Sequence, residues 1–298
     1  MMTLRVLIAR NTKLFFKDKG MFFTALITPV ILLVLYASFL GDVFRDSFLL
    51  GIPEGISLPD KLVNGFVSGQ LISSILAVSC VTVAFSANLL VVQDKANGTI
   101  RDLTVSPVKP NVLALSYYLS TLVTTLLICY TASALCLLYA AVFGWYLSVV
   151  DVLLLLFDVF LMSLFGTAFA SVVSFFLSSQ GQISAVGSIV SSCYGFVCGA
   201  YMPISQFSDA LQRVIMFLPG TYGTSLFRNH ALRGVFAEME AQALPTECID
   251  GVKKSIDASI SFFGNEVPIG IMYLVVCLST LLLIGAYVAL HVKRHKKQ

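Results

Sequence analysis

The chain has 298 residues, of which 57% are hydrophobic and only 12% charged, with a net charge of +3. Soluble domains carry charge at about 25% of positions, so this composition excludes an ordinary water-soluble fold and points to a bilayer, while the small net charge leaves no case for nucleic acid. Of seven cysteines, Cys80, Cys129, Cys136, Cys193, Cys198 and Cys277 lie in apolar stretches without paired spacing, which excludes a zinc site and a disulfide framework.

From the N-terminus, residues 1–19 place Leu4, Leu7, Ile8, Asn11, Leu14 and Phe15 on one helical stripe and Arg10, Lys13 and Lys17 on the other side. That pattern predicts an amphipathic helix lying at the membrane surface. Crossing a hydrocarbon core takes about 20 apolar helical residues, and six stretches qualify: 21–39, 62–92, 112–143, 149–177, 183–200 and 268–290. The first is too long for a signal-peptide core and no small-residue cleavage site follows it, so it is expected to stay as an anchor. The second, third and fourth exceed the bilayer thickness and should tilt, bend or project into water. The fold expected is therefore all-α and polytopic, one domain with six transmembrane helices.

Charge sets the expected orientation. Arg5, Arg10, Lys13, Lys17 and Lys19 precede the first span, and Lys293, Arg294, Lys296 and Lys297 sit in the tail 291–298. The loop at 40–61 instead holds Asp42, Asp46, Glu54 and Asp60 against Arg45 and Lys61. By the positive-inside rule both termini face the cytoplasm, as do the loops around 93–111 and 178–182, while 201–267 forms an outer helical region. Within it, Ile204, Phe207, Leu211, Val214, Ile215 and Leu218 predict a re-entrant or interfacial helix too short to span. Ile249, Val252, Ile256, Ile260 and Phe263 predict an exposed amphipathic helix, with Thr246 as its N-cap.

Chemical motifs are scarce. The sequence has no phosphate-binding GxxxxGK loop, no HExxH and no nucleophile elbow. His230 falls in the outer region without an evident partner, so no catalytic or metal-binding residue is assigned and an intrinsic enzyme is not expected. Between the second and third spans runs Val92-Gln93-Asp94-Lys95-Ala96-Asn97-Gly98-Thr99-Ile100-Arg101-Asp102-Leu103-Thr104-Val105-Ser106-Pro107. Asn97-Gly98 favours a tight turn, Thr99 can cap a helical turn over 100–105, and Pro107 and Pro110 stop it. A solvated loop and a short crosswise helix at the mouth of two spans are both compatible with that pattern.

This segment resembles the coupling helix of type-two ABC exporter permeases, which has an acid, then Gly-Thr, then Leu and Ser-Pro at matching steps. Asp94, Gly98, Thr99, Leu103, Ser106 and Pro107 fit, whereas Ala96 stands where the family carries a second acid. A second match, Gly199-Ala200-Tyr201-Met202-Pro203-Ile204 with Phe207 and Leu211, then Pro219, Thr221-Tyr222 and Arg228 or Arg233, is similar to the family's re-entrant element. The resemblance implies a permease that works as a dimer, with a second copy or a related partner chain, and with separate ATPase subunits. Those subunits would carry ATP and Mg, none being held by this chain, and would dock on Asp94, Gly98, Thr99, Ile100, Arg101, Asp102 and Leu103. The expected setting is the plasma membrane of a bacterium, and the expected cargo an amphiphilic drug-like, peptide-antibiotic or lipid-linked compound. A polysaccharide or teichoic-acid exporter is the alternative within the family, and an ion-coupled secondary transporter the alternative outside it.

Gly187, Ser191, Gly195 and Gly199 recur every four residues in the fifth span, a spacing that lets helices approach closely within one subunit or between two. Asp151 falls near the outer surface and is expected to be solvated. Asp158, two turns deeper in the same span, needs a proton, a partner or water, and serves either helix packing or a transport path. Gln70 and Ser73 give the second span a polar side; with Phe66, Phe85 and Asp158 they are the candidate path residues. The basic tail and the cations of residues 1–19 are expected to bind lipid headgroups.

Overall fold

A computed structural model of the chain describes residues 2–52, 58–105 and 108–295. Helix α1 (Met2–Lys17) lies against the long helix that starts at Pro110, and it buries Leu7, Asn11 and Phe15, which are four residues apart and therefore on one face. Asp18 then accepts a hydrogen bond from the Met21 amide at 3.1 Å, capping α2 (Lys19–Leu35). The helix does not end at residue 39. It continues through a π-helical turn (Tyr36–Leu40) into α3 (Gly41–Leu50), so the first part of the expected 40–61 loop is helical. The cause is amphipathicity: Phe48 stacks on Phe66 with ring centroids 4.1 Å apart, while Arg45 turns outward to pair with Asp60. Glu54 lies outside the described residues.

The centre of the bundle is α4 (Asp60–Ala87), buried along almost its whole length and packed on α2 and on four later helices that start at Pro110, Val149, Gln180 and Pro219. Small residues such as Ser68, Gly69, Ser73 and Ala77 allow that many neighbours to approach one helix. It bends at Asn88 into α5 (Leu89–Ala96), and α6 (Thr99–Val105) follows the Asn97-Gly98 turn. Helices α7 (Pro110–Phe143) and α8 (Val149–Phe175) form a long antiparallel pair. Helix α9 (Gln180–Val197) opens with a capping box of Ser179 and Gln182.

Among the described residues, five helical stretches are long and apolar enough to cross a bilayer: Lys19–Leu50, Asp60–Ala96, Asn111–Phe143, Val149–Phe175 and Ile269–Val292. The expected span at 183–200 corresponds to α9, which has 18 residues, glutamines in its first turn and four serines along its length. It falls short of the other five in apolarity.

The 201–267 segment departs most from expectation. Its first stripe is not one helix but a single 3-10 turn (Ile204–Gln206) and the short α10 (Asp209–Ile215). Next comes α11 (Pro219–Ala241), which the sequence pattern does not reveal and which packs between α4, α8 and α13. Helix α12 (Thr246–Ser255) follows Pro245, so Thr246 is its first residue and not its cap. The α12 stripe stops early: Asp257 and Phe263 adopt left-handed backbone with φ of 55° and 48°, and Phe263 is exposed on a hairpin of β1 (Ser261–Phe262) and β2 (Asn265–Glu266). Ile249, Val252 and Ile256 are buried against Phe48, Leu62 and Phe236, so the apolar face of α12 closes a second core. Helix α13 (Ile269–His295) completes the bundle against α8 and α11; Lys296 and Lys297 lie outside the described residues.

Candidate functional site

Among the described residues, polar side chains gather at several places. The first is the junction of α5 and α6. Asp94 is buried and accepts hydrogen bonds from the Tyr117 hydroxyl at 2.6 Å and from Arg10 at 3.1 Å, tying α5 to α7 and to α1. The neighbouring Lys95 donates to the carbonyls of Ser174 at 2.7 Å and of Phe175 and Leu177 at 3.2 Å. A cation there satisfies the last turn of α8 and meets the negative end of its dipole. At the bend above, Asn88 donates to the Ser174 hydroxyl at 3.1 Å.

Gly98 makes the turn between α5 and α6 with φ of 80°, in the left-handed region that disfavours a side chain. The Asp102 amide donates to the Gly98 carbonyl, so α6 begins at Thr99 and that residue is helical, not the cap. Ile100 and Leu103 face inward and pack with Leu7, Leu113 and Tyr117. Among the described side chains of α6, Asp102 and Val105 turn outward, the latter 85% exposed.

The second cluster is buried where α8, α11 and α13 meet. The Nδ1 of His230 lies 2.6 Å from Asp158 Oδ2, and the Tyr273 hydroxyl donates to Asp158 Oδ1 at 2.7 Å. The imidazole stacks on the Tyr273 ring at 6.2 Å between centroids. Asp158 is 0% exposed, so these two donors replace the water a carboxylate loses on burial. Sequence reasoning left His230 without a partner; the signal that could have found one was Asp158 itself, which needed a donor.

The third cluster staples the turn after α9. Gly199, with φ of 74°, presents its carbonyl to Arg228 at 2.5 Å, and the Ala200 carbonyl accepts from Ser74 at 2.8 Å. Arg228 is 1% exposed and pairs with Asp257 at 3.3 Å, while Asp257 also accepts the Ile204 amide at 2.7 Å. Burial pushes the Asp257 carboxyl above its ordinary value, outweighing the attraction of Arg228 and the Ile204 amide.

The chain that builds these three clusters matches a known family in sequence. The ABC-2 type transporter family matches residues 2–231, most of the chain. The chain belongs to that family. A search of curated proteins found no match. The ABC-2 match runs from α1 to Ala231 within α11 and stops before α12, the hairpin and α13.

Within this ABC-2 domain the residues singled out from sequence fall as follows. Asp94 is turned inward onto Arg10 and Tyr117, and α6 carries Thr99, Ile100, Arg101, Asp102 and Leu103; Ser106 and Pro107 lie outside the described residues. Phe66, Gln70, Ser73, Phe85 and Asp158 do not converge on one opening. Phe66 stacks on Phe48, the Ser73 hydroxyl donates to the Gln70 carbonyl at 2.9 Å, and Phe85 meets Phe169 edge-on at 5.4 Å, all inside the helix pack. Asp151 is buried, not solvated: it forms the capping box with Ser148 and pairs with Arg233 at 2.6 Å. The small-residue row of α9 divides. Gly187 faces open space and Ser191 is half-buried, Gly195 is covered by the Tyr201 ring of its own chain, and Gly199 belongs to the staple. Pro203 and Phe207 are half-buried beside that staple, and Leu211 is exposed on α10.

Proposed function

We propose that this ABC-2 domain is the permease subunit of an ATP-driven exporter, with α6 as the helix on which a separate ATPase subunit docks. The observation that carries the reading is the mounting of α6. It hangs from the bent end of the central helix through Gly98, its inner face is held by α1 and α7, and Asp102 and Val105 point outward. A push on that outer face would reach α1 and α7 through Asp94, and α8 through Lys95. Both termini are then cytoplasmic, α9 is a sixth, shorter crossing, and two permease subunits stand side by side. Gly187 on the open face of α9 suits such a pairing.

The cargo in this reading is an amphiphilic drug-like, peptide-antibiotic or lipid-linked compound, in keeping with a bundle that buries hydroxyl and amide groups, Ser68, Gln70 and Ser79 among them, within an apolar frame. An ion-coupled transporter gains one point from the buried Asp158–His230 pair, but it gives α6 no role. Co-purification tests the proposal. Val105→Asp should insert normally and lose the ATPase subunit, because a charge enters an apolar contact. Retention of the ATPase together with transport by that variant would reject α6 as the docking helix.

A further inference from the structure

At the N-terminal end of α13 a cavity of about 560 Å³ opens between α11, α12 and the hairpin. Its volume lies in the range of small-molecule sites, and its place is informative. Pro268 and Ile269 form part of its wall, and Ile269 begins a helix long and apolar enough to cross the membrane. The cavity therefore sits where a span leaves the hydrocarbon, at the depth of lipid headgroups.

The lining is divided by chemistry. Met272 and Val267, both buried, give it an apolar floor on the side of the span. Above them Asp250 and Lys254 from α12 and Glu266 from β2 make a charged rim. Asn229 spends its amide N–H groups on the carbonyls of Ala258 at 2.6 Å and Ser225 at 2.8 Å, and among the described residues no donor reaches its side-chain oxygen. With Lys253 included, the rim holds two cations and two acids. A simple anion would meet Asp250 and Glu266, and a simple cation the two lysines. A head carrying both signs satisfies each.

We propose that this cavity binds the headgroup of a phosphoethanolamine lipid from the surrounding bilayer. The phosphate would sit against Lys254, helped by Lys253. The primary ammonium has three N–H donors for the Asn229 oxygen and the carboxylates of Asp250 and Glu266, whereas a quaternary choline head has none. The acyl chains would run beside Leu274, Leu278 and Leu281, which are exposed along α13. The inference rests on the membrane placement of α13 and is independent of what the protein transports.

Native mass spectrometry of the detergent-purified chain, with phosphoethanolamine, phosphocholine and phosphoglycerol lipids of matched chains added in turn, tests it. The expected result is retention of the phosphoethanolamine lipid at least several-fold above the other two. Asp250→Asn with Glu266→Gln, at exposed positions that leave the core untouched, should erase the preference over phosphocholine, and Lys254→Gln should weaken binding of both. Water-soluble phosphoethanolamine at equal concentration should not displace the lipid. Equal retention of all three lipids, preference for phosphoglycerol, or a double variant that keeps the preference would overturn the proposal. Displacement by the soluble compound would overturn the lipid assignment.

Discussion

The imidazole of His230 and the carboxylate of Asp158 meet at 2.6 Å inside the bundle, although 72 residues separate them in the chain. Together with Tyr273 they join α11 to α8 and α13 at a point water does not reach. A buried pair adds little compared with an apolar replacement of both partners, but removing one partner strands the other.

His230→Ala should therefore destabilise the protein by about 3–5 kcal/mol, the usual cost of an orphaned buried charge. Asp158→Asn combined with His230→Gln should cost less than the sum of the single changes, because two amides can bond without a net charge. Thermal unfolding in detergent measures the cycle. Strict additivity would show that the contact carries no coupling energy.

The Asp94 contacts predict a loosened α1. Arg10→Gln and Tyr117→Phe each remove one donor from a buried carboxylate, worth about 1.5–3 kcal/mol for a bond to a charged group. Hydrogen exchange over residues 2–17 should accelerate in the Arg10 variant, while protection in the middle of α4 stays unchanged. Unaltered exchange in α1 would mean that Leu7 and Phe15 alone hold it.

The two faces of α6 should respond differently. Leu103→Asp places a charge in the contact with Leu7, Leu113 and Tyr117 and should lower stability and yield, whereas Val105→Asp, at an exposed site, should leave both intact. Gly98→Val meets no neighbouring atom, so its cost is backbone strain of about 1–3 kcal/mol, felt at the turn and not in any span. Equal loss of folded protein from Leu103→Asp and Val105→Asp would contradict this division.

The staple at Gly199 has a pH dependence whose sign follows from burial. Because the folded state raises the Asp257 carboxyl above its ordinary value, the folded chain holds that proton more tightly than the unfolded chain. The contribution of Asp257 to stability is then greatest below its ordinary value and declines as pH rises through the raised range. Mild acidification should leave the turn at 199–204 protected in hydrogen exchange, and Asp257→Asn should flatten the dependence. Faster exchange at that turn on acidification would reverse the assignment.

Local chemistry settles much of this architecture. Long apolar runs fix the positions of α2, α4, α7, α8 and α13, because any helix in lipid must be apolar enough to stay there. Asn97-Gly98 and the prolines mark the turn before α6 by backbone preference alone. Two elements escape such reading. The amphipathic α3 resembles a polar loop until Phe48 finds Phe66. Helix α11 is rich in Gly, Thr and Ser and buried on most sides, so it has no single apolar stripe to reveal it.

The functional residues divide in the same way. The sequence by itself singled out Asp158 as an acid in an awkward place, since a carboxylate within the hydrocarbon demands compensation wherever the chain goes, whereas Asp94 stood out only through the family resemblance of its segment. Only the tertiary structure decided who compensates them: Arg10 and Tyr117 for one, His230 and Tyr273 for the other. Those partners lie 23 to 115 residues away along the chain. Helical periodicity relates residues only within a few turns, whereas these pairings depend on which helices pack together and at what depth.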